Sequence, residues 1–242
     1  MLALTQGLMS LGAGGGGSFA SQVLSLTPWA YHRLDETGTL TTAADASGNG
    51  RTGTYIGTGT SDASGLFSGS TNAKTFNGSG AVTCATYTAT AGSPFSVMCV
   101  ARFTSTSIMA LFCGDNVGSG DRLFQFRTSG GAIQALLLNP ATVIAQSPLT
   151  YNDNNPHMAV LVYDESLAAA DGRLKLYMNG SEVARSTTSV TNSQTSAPLA
   201  IGQLGNADTR QRFIGTMDEC AFFSYALSAA QVSALWAARN TP

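Results

Sequence analysis

Acidic side chains are the groups of this sequence best suited to chemistry, and six of the fourteen are placed next to another acid. Three acidic pairs are consecutive in the chain: Asp35 with Glu36, Asp164 with Glu165, and Asp218 with Glu219. A retaining glycosidase needs two carboxyl groups about 5–5.5 Å apart on the sugar. Because consecutive residues of a strand point to opposite faces, none of these pairs is expected to act on one bond. The spacing argues against glycoside hydrolysis.

The two histidines, His32 and His157, are the candidates for a general base. No serine lies in a Gly-x-Ser-x-Gly turn, the arrangement that exposes a nucleophile in many hydrolases. A triad of His157, Asp164 and some serine stays open at this point. His32 follows Tyr31 within a strand-like run, and we expect it at a strand edge or at the surface.

A third feature that could do chemistry is the loop ADASGNGRTGTY, residues 44–55. Gly48, Asn49 and Gly50 tolerate positive φ angles, so they suit a tight and irregular turn. Such a turn aims backbone carbonyls and the carboxylate of Asp45 at a common point. The loop is therefore either a plain turn or a small cation site lined by oxygens.

The elements that position these residues are predicted to be strands. The chain has 242 residues, with 43% apolar residues, only 11% charged residues and 27 glycines. This composition favours strands and turns over helices. The formal net charge is −2, and lysines and arginines are scattered singly, so the sequence predicts no nucleic-acid partner. No apolar run reaches the length of a membrane-spanning helix.

The cysteines, at positions 84, 99, 113 and 220, are not closely spaced. Metal ribbons and redox motifs need close cysteine pairs, so we interpret these residues as buried thiols. A disulfide stays open, because sequence alone does not show which sulfurs meet.

Alternation of apolar and polar residues marks the strands. In FSVMCVARF, residues 95–103, one face carries Phe95, Val97, Cys99, Ala101 and Phe103, which is the pattern of a strand with one face in the core. Further strand candidates are 107–115, 122–129, 132–139, 157–165 and 212–223. The stretch 60–72 is predicted to be a loop.

Two local motifs fix a hairpin and a helix. Within residues 172–185, Asn179-Gly180 supplies the two positive-φ positions of a type I′ turn. Ser228 and Gln231 form a capping box that begins a short C-terminal helix. We predict an all-β protein, a two-sheet antiparallel β-sandwich with jelly-roll connectivity, closed by this one short helix.

The first twenty residues differ from the rest. MLALTQGLMSLGAGGGGSFA is apolar, ends in a glycine run and lacks the basic region of a secretory signal. We predict an N-terminal arm over residues 1–20, ordered by a partner or by a neighbouring copy of the chain, and a sandwich over residues 21–242.

Three stretches in this order, residues 30–55, 154–184 and 215–236, resemble the laminin-G-like group of the concanavalin A-like lectin/glucanase superfamily. The resemblance covers nearly all of residues 28–238 and implies the sandwich predicted above. Histidines are frequent in that group at the position of His157, just before a core strand, which implies a structural role. The fold itself carries lectins, adhesins, glycanases and structural modules, so it leaves the function open.

The resemblance also implies a candidate calcium site. In similar proteins the loop that matches Asp45–Gly50 meets the acids that match Asp218-Glu219, often around a calcium ion. Asp45 and Asp218 would supply carboxylate oxygens, and Asn49 and its neighbours would supply backbone carbonyls. Without metal, Asp45 caps its own turn and Asp218 bonds the amides of that loop. Either way we expect Asp218 to lock the loop.

Three functions follow, in order of preference. The first is a non-enzymatic accessory or decoration protein of a virion, because residues 1–20 are similar in style to the starts of tailed-phage structural proteins. That arm would anchor the chain to virion proteins or to copies of itself, with the sandwich exposed for interaction with host glycans. The second is a lectin-like carbohydrate-binding module, secreted or at the cell surface, with a site built from the loops 60–72, 114–121 and 203–211. The third is a glycoside hydrolase.

Overall fold

The computed structural model describes residues 18–38, 41–88, 90–116, 121–138, 142–189, 191–193, 195–205 and 210–241. The predicted arm, residues 1–20, lies outside the described residues except for its last three. Two antiparallel sheets of eight strands each account for most of the described chain.

Sheet A has eight strands. Its strands, in spatial order, are β14 (Ser181–Ser186), β13 (Leu174–Met178), β12 (His157–Tyr163), β7 (Phe95–Arg102), β16 (Ile214–Phe223), β5 (Asn72–Asn77) and β4 (Thr60–Ser64), and β1 (Ala30–His32) also pairs with β16.

Sheet B faces sheet A. Its strands, in spatial order, are β11 (Val143–Thr150), β10 (Ala132–Leu137), β9 (Asp121–Ser129), β8 (Met109–Asn116), β15 (Ser196–Ile201), β6 (Ala81–Thr88), β3 (Gly53–Ile56) and β2 (Thr42–Ala43). Two α-helices, α1 (Phe19–Ser25) and α2 (Ala229–Ala238), and a 3-10 helix (Ala169–Asp171) complete the described elements. The predicted two-sheet antiparallel sandwich is confirmed.

The main core lies between the sheets and is rich in stacked aromatic rings. Phe95 and Phe124, from opposite sheets, both pack on Phe222. On β7 the predicted inward face is confirmed, because Val97 and Cys99 are fully buried in this core. The other face of β7 is buried too, under the helices, so the strand is apolar on both sides.

Both α-helices lie on the outer face of sheet A. The predicted capping box of α2 is present, and Val232 and Leu235 are buried against the sheet. Helix α1 was not predicted from the sequence. It begins after the N-cap Ser18 and buries Phe19 and Val23, four residues apart, in the same outer cluster. A helix of seven residues is stabilised mainly by such tertiary contacts, so it leaves little local signal.

Two other local expectations are wrong. Residues 60–64, expected in a loop, form the edge strand β4. All five of its side chains are partly or fully exposed, so the strand lacks the alternation of apolar and polar residues that marks the other strands. The expectation of a surface position for His32 is wrong: its side chain is fully buried, because the loop after β2 covers β1 and the carbonyl of Ala44 bonds its Nδ1 atom. The alternative expectation, an edge position, agrees with the structure, since β1 pairs with β16 alone among the described strands. All four cysteines are free, and three of them are buried, which agrees with their interpretation as thiols.

Candidate functional site

Asp45, the first predicted calcium ligand, is a cap for its own loop. Its Oδ1 atom accepts hydrogen bonds from the amides of Tyr31 and Ser47, and its Oδ2 atom accepts one from the amide of Arg51. Partial burial acts to raise the pKa of Asp45, but hydrogen bonds from Ser47, Tyr31 and Arg51 outweigh it and hold the pKa below its usual value. Three N–H donors therefore face the carboxylate.

Asn49 and Asp218, the other predicted ligands, are bonded elsewhere. The Nδ2 atom of Asn49 donates to the carbonyls of Pro28 and Trp29, which fastens the loop to the segment before β1. Asp218 accepts hydrogen bonds from the Leu66 amide and the Ser70 hydroxyl. The expectation that Asp218 locks the 44–50 loop is wrong: its position on β16 faces the loop that precedes β5.

The three residues do not fit a common calcium site. Calcium needs six to eight oxygen ligands, whereas amide and hydroxyl donors engage these carboxylates and Asn49 contributes its nitrogen. No group of three or more His, Cys, Asp or Glu side chains suited to a metal occurs within the described part of the chain. Calcium at these positions stays a prediction.

A second candidate is the acid pair of β16, which the structure buries. Asp218 and Glu219 are each about 1% exposed or less, and a bulge in the pairing with β7 gives Glu219 a positive φ of 53°. Tyr31 donates its hydroxyl hydrogen bond to Glu219, and the guanidinium of Arg33 lies 3.5 Å away. Burial first, and then the charge of Asp218, raise the pKa of Glu219 to about 8. The pair is inaccessible to a sugar chain.

His157 is held in a hydrogen-bonded position at the start of β12. Its Nε2 atom lies 2.9 Å from the Oδ1 atom of Asp153, and its Nδ1 atom lies 3.0 Å from the Nδ2 atom of Asn179. The ring also packs edge-on against Tyr151. Asp164, the partner in the conceivable triad, instead binds the amide and hydroxyl of Ser166. These contacts support the structural interpretation of His157.

The outer face of sheet B carries the third candidate, an open groove of 390 Å³ that we call the sheet-B groove. Its floor is formed by β9 and β10, and the segment after β15 forms one wall. The lining residues are Arg122, Gln125, Arg127, Leu136, Leu138, Thr142, Leu204, Arg210 and Gln211.

A continuous row of side-chain hydrogen bonds, which we call the polar ladder, crosses the floor of this groove. Arg122 Nε donates to Asp115 Oδ1 at 2.9 Å, and Gln125 Nε2 donates to Asp115 Oδ2 at 2.5 Å. Arg127 donates from Nη1 to Gln125 Oε1 at 2.8 Å and from Nε to Gln134 Oε1 at 2.9 Å. Gln134 Nε2 then donates to Gln146 Oε1 at 2.6 Å. The ladder spans four neighbouring strands, from β8 to β11.

Arg127 is the centre of the ladder and orients both glutamine amides. Each glutamine turns its oxygen toward the guanidinium, so each amide nitrogen is left to donate onward. No carboxylate of the described residues lies within 4 Å of Arg127, while Asp115 is already paired with Arg122. Burial lowers the pKa of Arg127, which shows that its charge is partly desolvated.

Gln211 adds an unsatisfied acceptor at the wall of the groove. Its Oε1 atom is buried and has no hydrogen-bond partner among the described residues. The residue also has a positive φ of 58°, a backbone conformation that is costly for a side chain larger than glycine. Strain of this kind is concentrated at ligand sites.

The polar ladder was not predicted from the sequence, but two of the three predicted site loops contribute residues to it or to the groove. Residues 203–211 contribute Leu204, Arg210 and Gln211 to the groove, and residues 114–121 include Asp115. The third predicted loop, 60–72, belongs to the opposite sheet. The described lining contains no aromatic side chain and combines arginine, glutamine, leucine and threonine. The available signal was the alternation of Gln125 and Arg127 with Phe124 and Phe126.

The fold is a two-sheet antiparallel sandwich, and the sequence comparison identifies its family. Residues 76–233, about two thirds of the chain, match the laminin G family described as "Concanavalin A-like lectin/glucanases superfamily". The chain belongs to this family. No curated protein matches the sequence significantly.

Solved structures confirm the fold at low sequence identity. Domain 4 of AbnA, a GH43 extracellular arabinanase from Geobacillus stearothermophilus solved in complex with arabinotriose, is similar with a TM-score of 0.58 and 18% identity over 85% of this chain and 96% of that domain. The binding domain of Paraclostridial Mosquitocidal Protein 1 has a TM-score of 0.65 and 13% identity, covering 88% of this chain and 52% of that one.

The receptor binding domain of botulinum neurotoxin mosaic serotype C/D is similar as well. Its TM-score is 0.62 at 14% identity, covering 88% of this chain and 51% of the toxin domain. This chain therefore spans about half the length of each of the two toxin domains. At these identities the likeness establishes a shared fold.

Proposed function

We propose that this protein is a non-enzymatic, lectin-like binding domain that holds a glycan in the sheet-B groove. The polar ladder carries the proposal, because it presents hydrogen-bonding groups whose orientation is fixed before any ligand arrives. Sugar sites use a few oriented polar groups of this kind, and preorganisation reduces the entropy lost on binding.

The groove matches the chemistry of a sugar ring in two respects. The partly exposed guanidiniums of Arg122 and Arg127 and the exposed hydroxyl of Thr142 offer hydrogen-bonding groups to ring hydroxyls. Leu138, which is partly exposed at the groove, offers apolar surface to the C–H groups of the ring. The arabinanase domain with bound arabinotriose supports the proposal as a relative by fold, not as evidence for the same sugar.

The burial and pairing of the carboxyl groups support binding without catalysis. The only carboxylate in the polar ladder, Asp115, is fully buried and paired with Arg122, so it has no free oxygen placed as a nucleophile. Retaining hydrolysis would need a second carboxylate close by. The buried pair of Asp218 and Glu219 belongs to sheet A, on the other side of the core.

A groove-blocking variant tests the proposal. Thr142 is exposed at the groove, so Thr142→Trp should fill the groove without disturbing the core. Thr86→Trp, on an exposed position of β6 in the same sheet, is the matched control. On a glycan array, we expect the parent chain and Thr86→Trp to bind the same glycans and Thr142→Trp to lose them. An array without any binding, or equal binding by all three chains, overturns the proposal.

The setting in which such a domain works is a separate proposal. We infer that residues 1–20 attach the chain to a larger assembly, with a virion as the first candidate and a secreted or cell-surface location as the second. The described chain begins at Ser18, where α1 lies on the outer face of sheet A, opposite the sheet-B groove. Attachment through the preceding residues would therefore leave the groove free. No helix in the described ranges is long and apolar enough to cross a membrane.

Deleting the residues before the helix tests the attachment. A chain that begins at Ser18 keeps the N-cap of α1, and we expect it to melt like the full chain but to lose incorporation into particles or oligomers. Native mass measurement of both chains checks this. Assembly that persists after the deletion contradicts the role of the arm.

A further inference from the structure

We propose that the sheet-B groove is selective for acidic glycans, and that Arg127 binds a sugar carboxylate. This inference rests on the proposed glycan-binding function and narrows it to one class of sugar, the sugar acids.

The charge balance favours an anion. Two arginines of the polar ladder, Arg122 and Arg127, line the groove, whereas the ladder contains one carboxylate, that of Asp115. Asp115 is matched to Arg122 by a salt bridge of 2.9 Å. Arg127 has only the neutral amide oxygens of Gln125 and Gln134 as partners in the ladder. An anion bound at Arg127 would therefore pair with a guanidinium that makes no salt bridge among the described residues and shares the charge of Asp115 with Arg122.

Partial burial increases the free energy that the Arg127 guanidinium gains by binding an anion. Arg127 is half-buried, and this desolvation lowers its pKa. A cation that has lost part of its hydration gains more from a charged partner than a fully hydrated one does, because the local dielectric is lower. A hydrogen bond from Arg127 to a neutral sugar hydroxyl would replace only part of the interaction that the guanidinium has lost with water.

The free donors of Arg127 fit a carboxylate. A guanidinium has five N–H groups, and the two ladder bonds from Nε and Nη1 use two of them. Three N–H groups remain, two on Nη2 and one on Nη1. A planar carboxylate accepts two parallel hydrogen bonds from such a fork. The two ladder bonds also hold the guanidinium plane, so the fork is oriented before the ligand arrives.

Paired acidic and neutral ligands test the inference. The full chain is titrated with oligosaccharides of hexuronic and nonulosonic acids and with the methyl ester of each, which keeps the sugar and removes the charge. We expect binding of at least one acid, at least tenfold weaker binding of its ester, and weaker binding of the acid at high salt. A sulfated oligosaccharide forms a third arm.

Matched arginine variants assign the selectivity to one side chain. Arg127→Gln keeps a hydrogen-bonding group in the ladder and removes the charge, and we expect at least a tenfold loss of acid binding. Arg185→Gln removes an arginine from an ion pair with Glu182 on sheet A and should change nothing. Arg127→Lys keeps the charge without the fork, so its affinity should lie between those of the parent and Arg127→Gln. Arg127→Lys also tests the role of the side chain if Arg127→Gln is too unstable to be assayed.

The outcomes separate the two proposals. Equal binding of acid and ester, or acid binding that both Arg127 variants leave unchanged, overturns the acidic selectivity while glycan binding stands. Binding of sulfated sugars without binding of carboxylated ones overturns the carboxylate assignment. Absence of binding to every acidic sugar overturns the inference, and neutral-glycan binding that is sensitive to Thr142→Trp then shows that the proposed function survives.

Discussion

The two outer faces of the sandwich have the same backbone architecture but opposite surroundings. The outer face of sheet A carries Met98, Val100 and Phe223, and both helices cover it. The outer face of sheet B carries the polar ladder and has no helix on it among the described elements. The difference shows how one fold divides its two outer surfaces: helices bury one, and the other stays open as a groove.

The two faces also differ in how they treat charge. On the sheet-A side, Glu219 is buried with the hydroxyl of Tyr31 and the guanidinium of Arg33 as partners. On the sheet-B side, Arg127 is half-buried and has only neutral partners in the ladder. We therefore expect pH to act mainly on stability through the first face and salt to act mainly on binding through the second.

The largest expected effect comes from removing a helix contact on the covered face. Leu235→Ala deletes a fully buried side chain of α2 and should lower the free energy of unfolding by about 2–5 kcal/mol. Urea denaturation measures this loss. Ile144→Ala, at an exposed position of sheet B, is the control and should change stability by less than about 0.5 kcal/mol. Equal losses for both variants would contradict the division between the faces.

The second effect is a pH dependence of stability that comes from the buried acids. Burial raises the pKa of Asp218 to about 6 and, with the charge of Asp218, that of Glu219 to about 8, compared with 3.8 and 4.5 normally. The native state therefore holds protons that the unfolded chain has lost, so stability falls as pH rises from about 4 to about 8.

Replacing one acid tests this dependence. Glu219→Gln removes the ionisation, and we expect the variant to be more stable than the parent at pH 8 by about 1–3 kcal/mol, with little difference at pH 4. Asp171→Asn, at an exposed position, should leave the profile unchanged. Denaturant titrations across this range give the result, and a parent whose stability rises with pH would contradict it.

A smaller effect is expected within the polar ladder. Gln134→Ala removes the acceptor of Arg127 Nε and the donor to Gln146, which should cost about 1 kcal/mol of stability. The same change frees the guanidinium to rotate, so glycan binding should weaken more than the melting temperature suggests. Gln146→Ala, at the exposed end of the ladder, is the control. Unchanged binding by Gln134→Ala would mean that the ladder does not orient Arg127.

The smallest expected effect concerns calcium. The metal version of the 44–50 loop predicts that a chelator lowers the melting temperature and that Asp45→Ala abolishes this response. Because three amide hydrogen bonds already engage Asp45, we expect no change of the melting temperature in chelator. A chelator-dependent decrease in the parent chain, absent from Asp45→Ala, would restore the metal site.

Most of the fold was predictable because it is encoded in short-range patterns. The alternation in residues 95–103 located β7, and Asn179-Gly180 gave the hairpin turn, where both residues have positive φ. The Ser228 and Gln231 capping box located α2. In each case the pattern and the structure involve the same few neighbouring residues, so the sequence contains the whole cause.

The candidate site was less predictable because its partners are distant or depend on pairing register. Asp218 binds the amide of Leu66, 152 positions earlier in the chain, and not the loop that the family resemblance suggested. The ladder from Asp115 to Gln146 requires β8, β9, β10 and β11 to pair in one particular register. No local spacing encodes that arrangement.

The sequence by itself determined the strands with clear alternation, the Asn179-Gly180 turn and the C-terminal helix, because periodicity and capping depend on residues a few positions apart. Tertiary structure alone decided which outer face the helices cover, that His32 is buried, and that Arg127 stands among neutral amides. The physical reason is that burial and charge compensation depend on neighbours brought together by sheet pairing, and those neighbours are far apart along the chain.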